Sequence, residues 1–420
     1  GDLCNKKNII YFDVGGTTTK CALIEEGMPK VTTEYKLEYT KFNPGYPIRV
    51  PVTDLVEIGA GGGSIAWFDT GGSLKVGPKS AGADPGPASY NKGGEEPTIT
   101  DAKLVTGVIN PQNFASGQFD LRKDLAEKAI AKIAKGLNVD LVSAASSIVR
   151  VAEANMTGVA AGLAIQGFRP ITYTITPFNT LRCLEQIKID ICYPKLPVII
   201  VGTGAGLSYS ALGATHHSLD DIAIMRALPN MNVVCPSDPI EVAHAIEHAL
   251  KIKGPTYIRI GKKGEPIINK KNIKFRIGKI NKITSGKDIS ILSVGNIMKV
   301  SMECQKILSE NNISTELVSL HTIKPLDKNY LKKVFKKKLV VCIEEHSIIG
   351  GAGSAILEFC NLNSIDTSKL MIFSAPDKFL SKTGSQEQTR KKIGLNSQNI
   401  VKKIKKKIKK FNGNKNWNRF

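Results

Sequence analysis

The chain has 420 residues, a length that accommodates two to four domains. Hydrophobic residues make up 42% and charged residues 23%, a globular balance that excludes a wholly disordered chain, and neither a collagen triplet nor a sustained heptad appears. Lys+Arg 58 against Asp+Glu 37 gives a net charge of +21, which points to nucleic acid or an acidic surface only if the charge gathers on one face.

Mean hydropathy is −0.09, and no apolar run approaches the roughly 18 residues of a membrane helix. No membrane partner is therefore expected. The chain opens Gly1-Asp2-Leu3-Cys4, without Met and without a basic segment followed by an apolar one. A fragment in the cytoplasm is expected. The eight cysteines are scattered and form no Cys-x-x-Cys pair, so free buried thiols in a reducing cytosol are expected.

Asn8–Phe12 reads as a short strand running into Asp13-Val14-Gly15-Gly16-Thr17-Thr18-Thr19, after which Cys21–Ile24 resumes strand character. Backbone N–H groups and hydroxyls in such a hairpin suit phosphate oxygens, and Asp13 suits a hydrated Mg²⁺. A plain glycine hairpin reads equally well. Gly- and Pro-rich turns follow at Gly59–Trp67 and Ser80–Pro87, then Thr98–Ala102, and 124–135 and 139–156 read as amphipathic helices.

These motifs, in this order, resemble the hydantoinase/oxoprolinase family over residues 8–155. The resemblance implies an actin-like ATPase fold in which Asp13, Gly15, Gly16 and Thr17 touch the phosphates of ATP and Mg²⁺. Lys20 and Ser89 stand where the family often has Asp and Cys. The second lobe's motifs are missing, so residues 1–152 are expected to form an incomplete, partial domain.

From residue 153 onward, β-branched runs alternate with helical patterns, the pattern of α/β units. Pro170–Ile175 reads as a strand, 180–193 as a helix and Leu196–Gly202 as a buried parallel strand. Gly202-Thr-Gly-Ala-Gly-Leu207 fails as a dinucleotide loop because Leu207 replaces the third Gly. His244-Ala-Ile-Glu-His248 has the spacing of an inverted zinc peptidase motif, but no third ligand is evident, and no metal site is assigned to the chain's own residues. Strands are expected in Asp288–Gly295, Ser314–His321 and Leu339–Glu344. At Gly350–Ala355 a helix opens whose free N–H groups suit an anion or tight packing.

Residues 153–400 resemble the C-terminal half of transketolase, in its split form with two polypeptides. The motifs are Glu153–Leu163, Thr176–Gln186, Gly213–His217, Ala223–Pro229 and Tyr257–Gly261. The resemblance implies an α/β pyrimidine-binding domain of thiamine diphosphate enzymes at 153–268 that lacks its N-terminal segment. A transketolase C-terminal-like domain then follows at 280–400.

It further implies that Glu153 protonates the aminopyrimidine, whose activation lets the thiazolium lose its C2 proton, and that Phe178 stacks on that ring. His216 and His217 would contact substrate and move protons, and Arg259 or Lys262 would bind a sugar phosphate. Leu212 stands where the family usually has Asp. The implied activity is transfer of a two-carbon ketol unit between sugar phosphates, with thiamine diphosphate and Mg shared with an N-terminal-type partner subunit; the alternatives are an ATP-dependent hydantoinase/oxoprolinase-type hydrolase fragment or a non-functional hybrid. A homodimer of that assembly is expected, and nucleic acid is not.

Residues 401–420 form a basic tail. Val401, Ile404, Ile408 and Phe411 share one helical face with Lys elsewhere, which reads as a helix packed on the domain, or as a face for nucleic acid or lipid. The two resemblances meet at Ala152–Met156 without a linker, as expected of a chimera. The face Leu141, Ala145, Ile148, Ala152, Met156 runs across the join and predicts one continuous helix there.

Overall fold

The computed structural model describes the backbone of residues 9–14, 19–26, 28–32, 35–37, 46–48, 52–53, 55–58, 61–113, 120–262, 264–380 and 384–413. Side chains are described at 26, 28–31 and from 61 onward within those ranges, except Asn113, Glu153 and 411–413. Two compact units divide the chain, Gly1–Met156 and Thr157–Phe420.

In the first unit, β1 (Ile9–Val14) pairs antiparallel with β2 (Thr19–Glu25), and β3 (Leu55–Ile58) pairs with β2 from the other side. The Gly15–Thr18 loop and the side chain of Asp13 lie outside the described residues. β4 (Ser64–Phe68) and β5 (Leu74–Ser80) form a second hairpin. α1 (Ile99–Val105) opens on a reciprocal cap between Thr98 and Asp101. The buried Asp101 carboxylate also accepts from the amides of Ala88 and Ser89, at 3.2 and 2.8 Å. The Thr98–Ala102 motif therefore works as a clamp on the neighbouring turn. α2 (Lys123–Leu137) buries Ala126, Ala129, Ile130, Ile133 and Ala134 at helical spacing.

α3 (Leu141–Ile165) is one helix of 25 residues through the join, with Glu153 inside it. By length and composition it could cross a membrane, which corrects the expectation that no run is long enough. The physical reason is that its apolar residues serve two cores. Ala144, Ala145, Ile148, Val149 and Ala152 belong to the core of the first unit. Ala160, Ala161 and Ala164 belong to that of the second.

The second unit holds two five-stranded sheets. In chain order come β6 (Ile171–Ile175), α4 (Thr176–Thr180), β7 (Ile199–Thr203), α5 (Asp221–Ala227), β8 (Asn232–Val234), α6 (Pro239–Ala249) and β9 (Thr256–Ile260). There follow β10 (Asn281–Thr284), β11 (Ile289–Val294), α7 (Met298–Glu310), β12 (Thr315–Ser319), β13 (Thr322–Lys324) and α8 (Lys328–Val334). β14 (Leu339–Ser347), α9 (Ala352–Leu362), β15 (Leu370–Ala375), α10 (Gln386–Lys392) and α11 (Ser397–Gly413) complete it.

The first sheet has the order β6-β7-β9-β8-β13 and is parallel except for β13. The second has the order β10-β12-β11-β14-β15, with only β10 antiparallel. β13 follows β12 of the second sheet yet pairs in the first, so a single chain segment joins the two. The predicted helix over 180–193 is instead interrupted: α4 ends at Thr180, and a π-helical stretch spans Ile187–Cys192.

Alternate residues of each strand go to opposite faces. Ile200, Leu292, Val318 and Val340 build one core shared by the two sheets. Ile199, Val201 and Ile258 face outward onto α6 residues Ala245 and Ala249. Ile289, Ile291, Leu339 and Val341 face α7 and α11. Burial on both faces explains the unbroken apolar runs in the sequence. α11 contributes Val401, Ile404 and Ile408 to its core and leaves Lys402, Lys403 and Lys406 in solvent. The six described cysteines are free and buried.

Truncating Ile404, which is fully buried, should cost about 2–4 kcal/mol through lost transfer energy and a residual cavity. Lys406→Ala on the exposed face should stay within about 0.5 kcal/mol. Urea denaturation of the full chain measures both.

Candidate functional site

Ile175, Thr203 and Ile260 are in register at the C-terminal ends of β6, β7 and β9. Ligands of open parallel sheets bind beyond such ends. Thr176 Oγ1 donates to the Thr203 carbonyl at 3.0 Å, and Thr203 Oγ1 donates to the Gly261 carbonyl at 3.0 Å, so the strand ends are stitched together. α4 then places Phe178 one turn beyond β6.

After β7 the chain reverses through Gly204 and Gly206, at φ +83° and +62°. A Cβ at Gly204 would lie 2.1 Å from the Tyr209 ring, so that aromatic seats only against glycine. The Gly213–His217 turn carries His216, whose ring centroid lies 5.3 Å from that of Phe178 and 6.3 Å from that of Tyr209, both edge-on. Thr215 Oγ1 lies 3.0 Å from His216 Nδ1. Two cations border the ring cluster. The Arg182 guanidinium stands 4.1 Å over the Phe178 ring, and Lys262 Nζ lies 4.8 Å over that of Tyr209. Partial burial, then the charges of Arg182 and His217, push the His216 imidazole below its ordinary pKa, so it is neutral near pH 7.

The predicted residues therefore divide. Phe178, His216 and Lys262 come together at the strand ends. His217 is buried, and its Nε2 lies 3.1 Å from the Ser210 carbonyl oxygen. Arg259 does not stand with them. It is 1% exposed, its Nε donates to Asp221 at 2.7 Å, and its Nη2 donates to the carbonyls of Ser218 and Glu345 at 2.7 and 2.9 Å. Burial pushes the Asp221 carboxyl up, but the charges of Arg259 and His346 and the hydrogen bonds from Arg259 and Tyr257 together hold the group below its ordinary value.

Glu153 lies in α3, and its side chain is outside the described residues, as are Asp13, Gly15, Gly16 and Thr17 at the first unit's loop. In the His244–His248 motif, both His244 nitrogens have protein partners, Glu247 at 3.2 Å and the Lys271 carbonyl at 2.9 Å.

Sequence reasoning missed Arg182 and Tyr209. It also missed the layer beneath them. The buried Glu345 carboxylate accepts from the Leu207 amide at 2.5 Å, from Gln386 Nε2 at 2.9 Å and from Arg390, while Asn296 Nδ2 donates to the Ala205 carbonyl at 3.1 Å. Residues from around the second sheet thus hold the loop that presents Tyr209. The only available signal was Glu344-Glu345 inside an apolar strand, where unpaired carboxylates would be costly. Glu344 takes the amides of Ala352 and Gly353, at 2.6 and 3.0 Å, so the anion at the start of α9 is the protein's own.

The arrangement fits the pyrimidine end of thiamine diphosphate: an aromatic ring, a neutral imidazole, and beside Phe178 the buried Asn179 Oδ1, which lacks a hydrogen-bond partner.

Comparison with known proteins agrees with the fold. Residues 143–265 match the transketolase pyrimidine binding domain, and 278–400 match the transketolase C-terminal domain. Residues 1–176 match hydantoinase/oxoprolinase, overlapping the pyrimidine-domain match from 143 onward. A candidate transketolase C-terminal section of Methanocaldococcus jannaschii is 38% identical over 262 residues, 62% of this chain and 82% of its own. A 6-deoxy-6-sulfo-D-fructose transketolase subunit of a Clostridium species is 34% identical over 297 residues, 67% of this chain and 90% of its own. The solved structure of a split-gene transketolase, described as an inactive beta4 tetramer, superposes with a TM-score of 0.54 at 34% identity, covering 60% of this chain and 80% of that one.

The chain belongs to the transketolase family. Within it, this is a transketolase-like C-terminal subunit preceded by a hydantoinase/oxoprolinase-like segment.

Burial pushes the Glu344 carboxyl from its ordinary 4.5 up to about 7, against the pull of the Gly353 and Ala352 amides. Because the folded-state value is the higher one, folding takes up a proton between them, and stability falls as pH rises from about 4.5 to about 7. Glu344→Gln should flatten that slope, which amounts to about 3 kcal/mol across the window. Urea midpoints measured from pH 4.5 to 7.5 check it.

Proposed function

We propose that this chain completes a two-chain transketolase. An N-terminal-type partner subunit supplies the diphosphate and Mg²⁺ ligands, and the pair transfers a two-carbon ketol unit between sugar phosphates. The assembly works as a homodimer in a reducing cytoplasm, in keeping with the free buried thiols. The observation that carries this reading is the Phe178–His216–Tyr209 cluster, bordered by two cations at the ends of three registered parallel strands.

Thiamine diphosphate, when bound, supplies the carbon nucleophile of the reaction. Phe178 offers its ring to the aminopyrimidine, and Glu153 holds a proton at that ring's far nitrogen. Neutral His216 accepts a proton from a substrate hydroxyl. Lys262, exposed beside Tyr209, meets the substrate phosphate, and His217 supports the turn that aims His216. No observation favours the ATP-dependent hydrolase reading of Asp13, Gly15, Gly16 and Thr17. The overlap of two family matches across 143–176 supports a chimeric origin for the join. Genomic reads crossing the codons for 145–160 test that origin.

Mixed with an N-terminal-type subunit, thiamine diphosphate and Mg²⁺, the chain should transfer ketol units. The chain alone should give no saturable cofactor titration at micromolar concentration. In the complex, His216→Ala should lower kcat about 10²-fold or more while cofactor affinity holds. The acid limb of kcat/KM should lie below the ordinary imidazole midpoint of about 6.5, because His216 is shifted down. Tight cofactor binding by the isolated chain, or full activity in His216→Ala, would refute this reading.

A further inference from the structure

β6 is an edge strand: among the described residues it pairs with β7 alone. Edge strands of soluble proteins are ordinarily blunted by charge, proline or a bulge, because their unpaired amides and carbonyls recruit another strand. Ile171-Thr172-Tyr173-Thr174-Ile175 has no such device. Tyr173 is 63% and Ile171 42% exposed, and Ile165 and Phe168 just before the strand are exposed as well.

The backbone parity is fixed by one bond. The Ile199 amide donates to the Pro170 carbonyl at 2.9 Å, so the even-numbered residues of β6 direct their backbone groups at β7. By alternation Ile171, Tyr173 and Ile175 direct theirs away from the sheet. The sequence of the strand is a palindrome, Ile-Thr-Tyr-Thr-Ile.

We infer that β6 is a docking edge for β6 of a second copy of this chain, antiparallel about a two-fold axis at Tyr173. In that register Tyr173 meets Tyr173 of the second copy as a hydrogen-bonded pair, Ile171 faces Ile175, and Thr172 faces Thr174. Each face of the joined sheet then sets like against like: aromatic on aromatic, β-branched on β-branched. Two chains of charge +21 repel, so a self-interface must be neutral where it closes. No charge lies within β6, and in this register Arg169, the nearest one before the strand, falls opposite Pro177. The contact is isologous, so it uses each edge once and closes at the dimer. This surface is argued from β6 alone and does not depend on the catalytic reading.

Sedimentation velocity of the full chain, without any partner subunit, should show a reversible dimer at micromolar concentration. Tyr173→Lys and Tyr173→Glu each set like charges across the axis and should raise the dimer dissociation constant about tenfold or more. Mixing the two variants sets Lys opposite Glu and should restore the dimer, an outcome that lost folding cannot imitate. Tyr173→Pro removes an amide that points off the sheet and leaves the bonds to β7 intact, so it should also give a monomer with unchanged circular dichroism. The inference is overturned by a monomeric wild type, by a Tyr173→Lys dimer, or by a Lys and Glu mixture that stays monomeric. It is equally overturned if Tyr173 becomes protected from solvent only when an N-terminal-type subunit is added.

Discussion

A guanidinium buried to 1% exposure imposes an electrostatic demand on everything around it. Arg259 answers it at Nε and Nη2, with Asp221 at the start of α5 and with two carbonyls, one before α5 and one on β14, while its Nη1 has no hydrogen-bond partner. Tyr257, two residues earlier on β9, donates to the same Asp221 oxygen at 2.6 Å. Three segments distant in sequence are thereby tied at one point, and that point lies where the two sheets share a core. Arg259 is thus a tie between the two halves of this unit.

The adjacent carboxylates of β14 extend the same logic. Successive residues of a strand face opposite ways, so Glu344 reaches the opening of α9 while Glu345 reaches the Leu207 loop, Gln386 and Arg390. Each buried carboxylate is answered, one by helix amides and the other by an arginine. The loop that carries Tyr209 therefore owes its position to the second sheet, although its residues belong to the first half. Gly206 permits this, since a Cβ there would lie 2.5 Å from Glu345 Oε1.

α3 shows a different economy. The small residues Ala144 and Ala145, and Ala160 and Ala161, allow close packing in two separate cores. The helical period runs unbroken where the two family matches overlap, and the period was enough for one helix of 25 residues.

Periodicity and turn chemistry in the sequence located the buried parallel strands, the helix through the join and the amphipathic last helix, because each depends on contacts that repeat along a short stretch of chain. Resemblance to known motifs added Phe178, His216 and Lys262. What the sequence could not distinguish was two basic residues three apart, Arg259 and Lys262. Only the folded chain shows that Asp221 waits for one while the Tyr209 ring lies under the other. Arg182 and Glu345 were equally hidden, since their partners lie across turns or in the other sheet. Local order follows from nearest neighbours in the chain, whereas the fate of a charge depends on which distant groups desolvate and answer it, and that is decided only when the sheets close.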